Sequence, residues 1–234
     1  MERLHCIANT PAASRRPLDV LRAEARGVIS VVRPDQQIAA QGEERTDVIG
    51  VLSGLVRCVR MTPDGRRHIG RFVRRGGVIG LGATSAFRNS IEAVTTSSII
   101  RFSVHALEHR CAEAPSLRSA VVEAMTMELV ARERMQFRTG RLWAEERIAD
   151  FLLELVDEPD ATDGQVIAFR MSRADIADHL GLTIETVSRT LSRLQREGVV
   201  RMADAHHLSI VDMSMLRALA SGDGDARVRS ARSG

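Results

Sequence analysis

Residues 172–198 read SRADIADHLGLTIETVSRTLSRLQREG, and this stretch predicts two short amphipathic helices joined by a tight turn. Ser172 is followed three residues later by Asp175, which is a signal for the N-terminus of a helix. Gly181 suits the left-handed conformation that often ends a helix, and Thr183 can cap the next one. Only about three residues therefore separate the helices, which is the spacing of a helix–turn–helix.

The second of these helices separates an apolar face from a polar face at 100° per residue. The residues predicted to pack inward are Ile184, Val187, Leu191 and Leu194, joined by Ile176, Ala177 and Leu180 from the first helix. The outward residues are Glu185, Ser188, Arg189, Ser192, Arg193 and Arg196. Two helices joined in this way can place the second in the major groove of DNA.

Three outward side chains match the hydrogen-bonding groups of DNA bases. Arg189 can donate two hydrogen bonds to guanine, Glu185 can accept one from the cytosine amino group, and Ser188 can bond to a neighbouring base. The candidates for contacts to the DNA backbone are Ser172, Thr183, Thr186, Ser192, Arg193 and Arg201. The alternative is that Glu185 and Arg189 form an ordinary i,i+4 ion pair, worth about 0.2–0.5 kcal/mol on a solvated helix.

The composition of the 234-residue chain indicates a folded protein of two small domains, because 44% of its residues are hydrophobic. No stretch approaches the roughly 20 apolar residues of a membrane span, and the N-terminus has no hydrophobic signal core. The three cysteines, Cys6, Cys58 and Cys111, are widely spaced and odd in number, which is typical of a reducing compartment. We therefore expect a cytoplasmic protein without a membrane partner.

The charge distribution complicates the DNA interpretation. All 33 basic residues are arginine, and the net charge is +3. Residues 141–220 nevertheless carry 9 arginines against 14 acids, whereas residues 1–140 carry 21 arginines against 14 acids. The overall charge of the C-terminal half argues against DNA binding, so the prediction depends on local placement of arginines on one side. Those arginines are Arg189, Arg193, Arg196 and Arg201.

Short apolar runs separated by turn signals predict an antiparallel β domain between residues 28 and 102, either a small barrel or a jelly roll. Ser53-Gly54 and Pro63-Asp64-Gly65 are the expected hairpin turns. The whole chain is predicted to be an α+β protein. Its segments are a flexible N-terminal arm (1–17), a β-roll sensor-like domain (18–112), a dimerisation helix with a hinge (113–140), a winged helix–turn–helix domain (141–221) and a disordered tail (222–234).

The long helix is predicted to begin at Pro115 and run to about Arg138, with a hinge at Thr139-Gly140. A 4–3 spacing along it predicts a coiled-coil seam formed by Leu117, Val121, Ala124, Glu128, Ala131 and Met135. The alternative is that this face packs on the chain's own β domain. We expect a homodimer chiefly because a single recognition helix reads few base pairs, whereas a two-fold dimer reaches two half-sites.

The C-terminal domain is predicted to begin with a helix at residues 144–156, whose apolar stripe is Ile148, Phe151, Leu152 and Leu155. A polar loop at 157–164 and a short strand at 166–169 follow. Strands at 199–202 and 208–211 then form the two-stranded wing of a winged helix, and a last helix covers 213–220.

After the β domain and the long helix come the segments AEERIADFLLEL and MSRADIADHLGLTIETVSRTLSRLQREGVV. In this order, the chain resembles the CRP/FNR superfamily of bacterial transcription regulators over nearly its whole length. Glu185, Ser188 and Arg189 match the FNR and FixK branch, in which the corresponding residues read a TTGA-type half-site of an inverted repeat. In the cyclic-AMP-responsive branch an arginine usually replaces Ile184 and a smaller residue replaces Ser188. The resemblance thus implies a FixK-type activator that recruits RNA polymerase at a TTGA-N6-TCAA-like palindrome, at anaerobic, microaerobic or nitrogen-metabolism promoters.

The upstream signal is not identified by the resemblance. The iron–sulfur cluster of FNR needs four thiolates, whereas this chain has three cysteines, so we expect no cofactor and no metal site. The segment GVIGLGATSAFRNSIEA lacks the acidic partner of the cyclic-nucleotide signature and leaves Arg88 as a weak candidate for a phosphate contact. Cys6 and Cys111 are candidates for a reversible thiol switch.

Two alternatives to the FixK-type prediction remain open at the level of sequence. The first is a CRP/FNR regulator gated by haem, a small molecule or thiol redox chemistry. The second is a cyclic-nucleotide-type module whose C-terminal domain docks on a protein, which the acidic C-terminal half supports. An enzyme is not expected, because there is no phosphate-binding glycine loop before a helix, no close Ser/His/Asp pattern and no metal-ligand cluster.

Overall fold

A computed structural model describes residues 16–82, 84–156, 166–204 and 206–222 of the chain. The described chain forms a β domain, a long helix and a smaller C-terminal domain, which confirms the predicted α+β architecture. The predicted N-terminal arm and C-terminal tail lie almost entirely outside the described residues. Cys6 and the loop at 157–164 also lie outside them.

The N-terminal domain is a jelly roll of two antiparallel four-stranded sheets, ordered β1-β8-β3-β6 and β2-β7-β4-β5. Its elements are α1 (Pro17–Glu24), β1 (Val28–Val32), β2 (Gln37–Ala39), β3 (Asp47–Ser53), β4 (Leu55–Met61), β5 (Arg67–Arg74), β6 (Val78–Ile79), β7 (Ser90–Ala93) and β8 (Ser97–Ser103). The expected hairpin turn at Pro63-Asp64-Gly65 is confirmed, since it joins the paired strands β4 and β5 and Gly65 has a φ of 84°. The hairpin expected at Ser53-Gly54 is wrong, because this turn leads from β3 in one sheet to β4 in the other; Gly54 still has a positive φ of 88°. Buried aliphatic side chains such as Ile49, Val56 and Ile99 fill the space between the sheets.

Two helices follow the jelly roll and cover the outer face of its first sheet. They are α2 (Val104–Glu113) and α3 (Pro115–Arg141). Leu117 of α3 packs with Leu18 of α1 and with Ile100 and Phe102 of β8. The long helix is therefore anchored on the β domain through its first turns.

The C-terminal domain comprises α4 (Ala144–Val156), β9 (Val166–Ala168), α5 (Arg173–Leu180), α6 (Ile184–Arg196), β10 (Val200–Met202), β11 (His207–Ile210) and α7 (Met213–Ala220). The predicted apolar stripe of α4, from Ile148 to Leu155, is buried and lies in one core with the inward residues of α5 and α6. The wing differs from the prediction because β9 pairs with β11. The sheet therefore has three strands in the order β10-β11-β9 instead of two.

The predicted hinge at Thr139-Gly140 is wrong in position, because α3 continues through both residues to Arg141. A glycine inside a helix costs about 1 kcal/mol, but the last turn is held by the buried guanidinium of Arg138. This group donates from Nε to Asp150 at 2.7 Å and also pairs with Glu154, both on α4. Only residues 142–143 separate α3 from α4.

The predicted coiled-coil seam is turned largely toward the chain's own domains. Leu117 is completely buried, Val121 packs against the same core, and a carboxylate oxygen of Glu128 lies 3.7 Å from the Arg71 guanidinium of β5. The 4–3 spacing therefore describes mainly an intramolecular face, and Ala131 is the one exposed member of the set. The opposite face of α3 exposes Val122, Met125, Leu129, Val130 and Phe137.

The β4–β5 hairpin docks on the C-terminal domain. Leu55 is buried in the core of that domain, and the His179 ring of α5 lies 5.1 Å from the Phe72 ring and 5.4 Å from the Phe151 ring. Nδ1–H of His179 donates to the Ile69 carbonyl of β5 at 2.9 Å. Burial lowers the pKa of His179 to about 4, so the ring is neutral at pH 7.

Ion pairs surround this apolar contact. Asp175 of α5 is almost completely buried and accepts hydrogen bonds from Arg57 at 3.2 Å and from Arg67 at 3.0 Å. Arg67 also donates to Asp178 at 2.7 Å. The β domain thus neutralises two carboxylates of α5 and fixes the orientation of this helix.

The docking of α5 predicts a specific pH dependence. The folded-state pKa of His179 is lower than the ordinary 6.5, so the unfolded chain binds this proton first as the pH falls. The stabilisation from neutral His179 is present above pH 6.5 and is lost as the pH falls toward 4. We expect this group to lower the free energy of unfolding by about 2 kcal/mol between pH 7 and pH 5.

Denaturant unfolding at the two pH values measures this loss, with His179→Gln as the control. Glutamine stays neutral and keeps an N–H that can donate to the Ile69 carbonyl. The wild type should lose about 2 kcal/mol more than the variant. Equal losses in the two proteins would contradict the assignment of the effect to His179.

Candidate nucleic-acid interface

The turn between α5 and α6 has the caps that its sequence predicts. The hydroxyl of Ser172 accepts from the Asp175 N–H at 3.0 Å at the start of α5. Gly181 ends this helix with φ 64° and ψ 41°, in the left-handed region. Thr183 then accepts from the Thr186 N–H at 3.1 Å and starts α6. The two helices, their caps and the tight turn between them are therefore as predicted for a helix–turn–helix.

The apolar stripe of α6 fixes which of its faces points to solvent. Val187, Leu191 and Leu194 are buried in the core of the C-terminal domain. Ile184 was also predicted to pack inward, but its side chain is 54% exposed. This prediction is wrong because Ile184 is the first residue of α6, and the buried side of the helix begins only at Val187.

Glu185 and Arg189 stand on the exposed face of α6, with 71% and 77% of their side chains accessible. Their side chains form an ion pair one helical turn apart. A pair of this kind on a solvated helix contributes about 0.3–0.5 kcal/mol, whereas a bidentate contact to the correct base contributes about 1–3 kcal/mol. The ion pair is therefore weak enough to be replaced by contacts to a base.

Ser188 and Ser192 complete this face. Ser188 is half-buried and Ser192 is exposed, and both lie on the same side of α6 as Glu185 and Arg189. We call these four residues the reading face. It combines two hydroxyls, one carboxylate and one guanidinium within two helical turns, which is the mixture of donors and acceptors that base edges in the major groove require.

The predicted backbone contacts have different environments. Thr183 and Thr186 lie at the N-terminus of α6, where backbone N–H groups can also bind a phosphate. Arg201 is exposed on β10 of the wing, and Ser172 is exposed at the N-terminus of α5. Arg193, in contrast, forms an ion pair with Glu145 of α4, so its guanidinium is engaged within the domain.

The acidic excess of the C-terminal half is largely neutralised away from the reading face. Four of its carboxylates pair with arginines that precede residue 141. The pairs are Asp150 with Arg134 and Arg138, Glu154 with Arg138, Asp175 with Arg57 and Arg67, and Asp178 with Arg67. These carboxylates thus hold α4 and α5 against the preceding part of the chain. The acidic excess therefore no longer supports the alternative in which the C-terminal domain docks on another protein.

Arg147 of α4 is a positioning residue that the sequence did not reveal. Its guanidinium donates to the carbonyls of Leu142 at 2.8 Å, Thr139 at 2.8 Å and Leu180 at 3.1 Å. It therefore joins the end of α3, the linker and the end of α5 just before the turn. An arginine in an amphipathic helix has no sequence signal for this role, because its acceptors are backbone atoms.

The candidate sensing residues are not brought together. Cys58 is buried in β4, as predicted, and burial raises the pKa of its thiol. Cys111 is half-buried on α2, where burial also raises its pKa and so lowers the fraction of reactive thiolate. Arg88 is exposed in the loop before β7. Across residues 16–82, 84–156, 166–204 and 206–222, no three His, Cys, Asp or Glu side chains are grouped to hold a metal.

None of the helices in the described part of the chain combines the length and the apolar character that a membrane span requires.

Two family models match the chain: "Cyclic nucleotide-binding domain" at residues 29–114 and "Crp-like helix-turn-helix domain" at residues 146–219. The nitrogen fixation regulation protein FixK of Azorhizobium caulinodans is 34% identical over 211 residues, which cover 89% of this chain and 84% of that protein. FixK of Rhizobium meliloti is 33% identical over 193 residues, covering 82% and 87%. The chain belongs to the CRP/FNR family, in its FixK-like branch.

Solved structures agree with this assignment of the regulator. The structure of FixK2 from Bradyrhizobium japonicum superposes with a TM-score of 0.77 at 32% identity, covering 83% of this chain and 97% of that one. A CooA mutant from Carboxydothermus hydrogenoformans superposes with a TM-score of 0.72 at 18% identity, covering 89% and 97%, and supports the fold alone. The resemblance inferred from residues 172–198 therefore extends over both domains.

The reading face predicts the effect of Arg189→Ala on DNA binding. The variant should lose about 1–3 kcal/mol of specific binding and should select less strongly for guanine in the half-site. Arg196→Ala is the matched control, because Arg196 is exposed on the last turn of the same helix. Fluorescence anisotropy with specific and random duplexes checks this. An equal loss on both duplexes would show that Arg189 contacts phosphate instead of a base.

Proposed function

We propose that this regulator binds an inverted repeat resembling TTGA-N6-TCAA as a homodimer and activates transcription by recruiting RNA polymerase. The observation that carries the proposal is the reading face of α6, exposed above a buried apolar stripe. The names of the FixK relatives support target genes in nitrogen fixation. The proposed activity is non-enzymatic and takes place on the chromosome in the cytoplasm.

The proposed base contacts centre on the G·C pair of each TTGA half-site. Arg189 donates to O6 and N7 of guanine, Glu185 accepts from the amino group of the cytosine in the complementary strand, and Ser188 bonds to the neighbouring base pair. Ion pairing between Glu185 and Arg189 already brings the two side chains together in the free protein. Because these two side chains already lie side by side, they need little rearrangement to contact the two bases of one pair, which favours this assignment.

Backbone contacts position the helix in the groove. The N-termini of α5 and α6, capped by Ser172 and Thr183, offer hydroxyls and N–H groups to phosphates on the two sides of the groove. Thr186, Ser192 and Arg201 extend this set. We omit Arg193 from it because its guanidinium pairs with Glu145.

The dimer is proposed to form through the exposed face of α3 and not through the seam predicted from the 4–3 spacing. Val122, Met125 and Leu129 also have a 3–4 spacing, and each is at least 45% exposed. Val130 and Phe137 flank them and are 59% and 60% exposed. A contiguous apolar face of this extent on a long helix is typical of an association surface. Its two-fold pairing would give the regulator two copies of the reading face.

The half-site spacing can be tested directly. The regulator should bind TTGA-N6-TCAA at least about tenfold more tightly than the same duplex with G-to-A changes in both half-sites, because each mismatch costs about 1–3 kcal/mol. Altering the spacer by two base pairs should weaken binding similarly, since it rotates one half-site relative to the other. Anisotropy at fixed salt measures this. Indifference to both changes would contradict the proposed site.

The two faces of α3 can be distinguished with a matched pair of variants. Leu129→Glu places a charge on the exposed apolar face and should convert the dimer to a monomer with weaker palindrome binding. Ala131→Glu places the same charge on the one exposed residue of the originally predicted seam and should leave the dimer intact. Sedimentation velocity measures both. A monomeric Ala131→Glu with a dimeric Leu129→Glu would reverse the assignment of the interface.

A further inference from the structure

Arg193 of α6 is held by a carboxylate from another helix. Its guanidinium forms an ion pair with Glu145 in the first turn of α4, and the two side chains are 38% and 23% exposed. The Nε atom of Arg193 is buried, has no hydrogen-bond acceptor among the described residues, and lies 4.0 Å from Oε1 of Glu197. Glu145 is therefore the principal charge partner of Arg193 in the described chain.

Arg193 lies next to the reading face. It follows Arg189 by four residues, so the two side chains leave α6 about 40° apart around the helix and about 6 Å apart along it. The N-terminal residues of a recognition helix contact the base edges. A side chain one turn beyond Arg189 then lies closer to the wall of the groove, which carries the phosphates. Arg193 is thus placed to reach the DNA backbone, but its guanidinium is occupied by Glu145.

We propose that Glu145 takes the place of a DNA phosphate at Arg193 and so withholds one backbone contact per chain, which lowers the affinity for every duplex. This inference rests on the proposed function, because it requires α6 to enter the groove. Carboxylates and phosphates accept the same charge-assisted hydrogen bonds from a guanidinium, so the two groups compete for it. Arg193 can reach a phosphate only by breaking this partly buried pair, so we expect no contact between Arg193 and DNA in the wild type.

The withheld contact matters because phosphate contacts carry no base preference. They strengthen binding to random and specific duplexes alike, and a chromosome offers about 10⁶–10⁹ competing random sites. Glu145 thus reduces binding to random DNA without contacting the residues of the reading face. The order of affinities among different sequences stays under the control of that face.

Anisotropy titrations of the full chain with a random duplex and with the TTGA-N6-TCAA duplex, between about 0.05 and 0.2 M salt, test the proposal. Glu145→Gln should bind both duplexes at least about fivefold more tightly at about 0.1 M salt, and the slope of log affinity against log salt concentration should steepen by about 0.9 per chain. Its preference for the palindrome should equal that of the wild type. Arg193→Met keeps an unbranched side chain for packing and should bind both duplexes as the wild type does.

Two further variants separate the release of Arg193 from the loss of a negative charge near DNA. Glu146→Gln removes the same charge from the same turn of α4, and its amide oxygen can still accept from the Trp143 N–H. Glu145→Gln/Arg193→Met removes both members of the pair. Both variants should bind as the wild type does. Unchanged binding by Glu145→Gln, or an equal gain by either of these variants, overturns the proposal.

Arg193→Met decides the question even if Glu145→Gln does not fold. Weaker binding of both duplexes by Arg193→Met would show that Arg193 already contacts phosphate beside Glu145, and this would overturn the proposal. The two duplexes also separate it from the proposed function. Equal binding of palindrome and random duplex by the wild type would contradict base reading, whereas the gain of Glu145→Gln on the random duplex involves no base reading and tests Glu145 alone.

Discussion

Burial of three side chains on α6 determines where this protein can touch DNA. Val187, Leu191 and Leu194 lie in the core of the C-terminal domain, and full burial of an aliphatic side chain contributes about 1.5–3 kcal/mol. Because the helix cannot rotate without exposing them, Glu185 and Arg189 must point away from the core. The capped turn at Gly181 then fixes the angle between α5 and α6. Specific recognition therefore depends on an apolar stripe that contacts no nucleic acid.

The remainder of the molecule holds this helix pair in place through charge pairs that would otherwise count against DNA binding. Arg138 joins α3 to α4, and Arg57 and Arg67 join the β domain to Asp175 of α5. Removing one partner of a buried pair is strongly destabilising, because the other charge is left without compensation. Neutral His179 and its aromatic neighbours fill the space between these pairs. The C-terminal domain thus receives its orientation from the domain that precedes it.

Sequence reasoning succeeded where the signal is local. The caps at Ser172 and Thr183, the left-handed Gly181 and the buried stripe of α6 each depend on residues a few positions apart, and they were predicted, although Ile184 was wrongly assigned to the stripe. It was ambiguous on α3, because apolar residues lie on both faces of this helix and a 4–3 spacing fits either one. It also missed the pairing of Arg57 with Asp175, which are 118 residues apart in the chain. The capping signal of Ser172 and Asp175 is enough to explain Asp175 in the sequence, so nothing in the sequence indicated that its carboxylate also pairs with Arg57.

The central claim is that Arg189 reads guanine, and it is tested most directly by a double-mutant cycle between the protein and the DNA. The half-site guanine is replaced by 7-deazaguanine, which lacks the N7 acceptor, and affinities are measured for the wild type and for Arg189→Ala. We predict that the wild type loses affinity on the modified DNA, that Arg189→Ala loses little more, and that the coupling energy is about 1–3 kcal/mol. Additive losses, with no coupling, would contradict it.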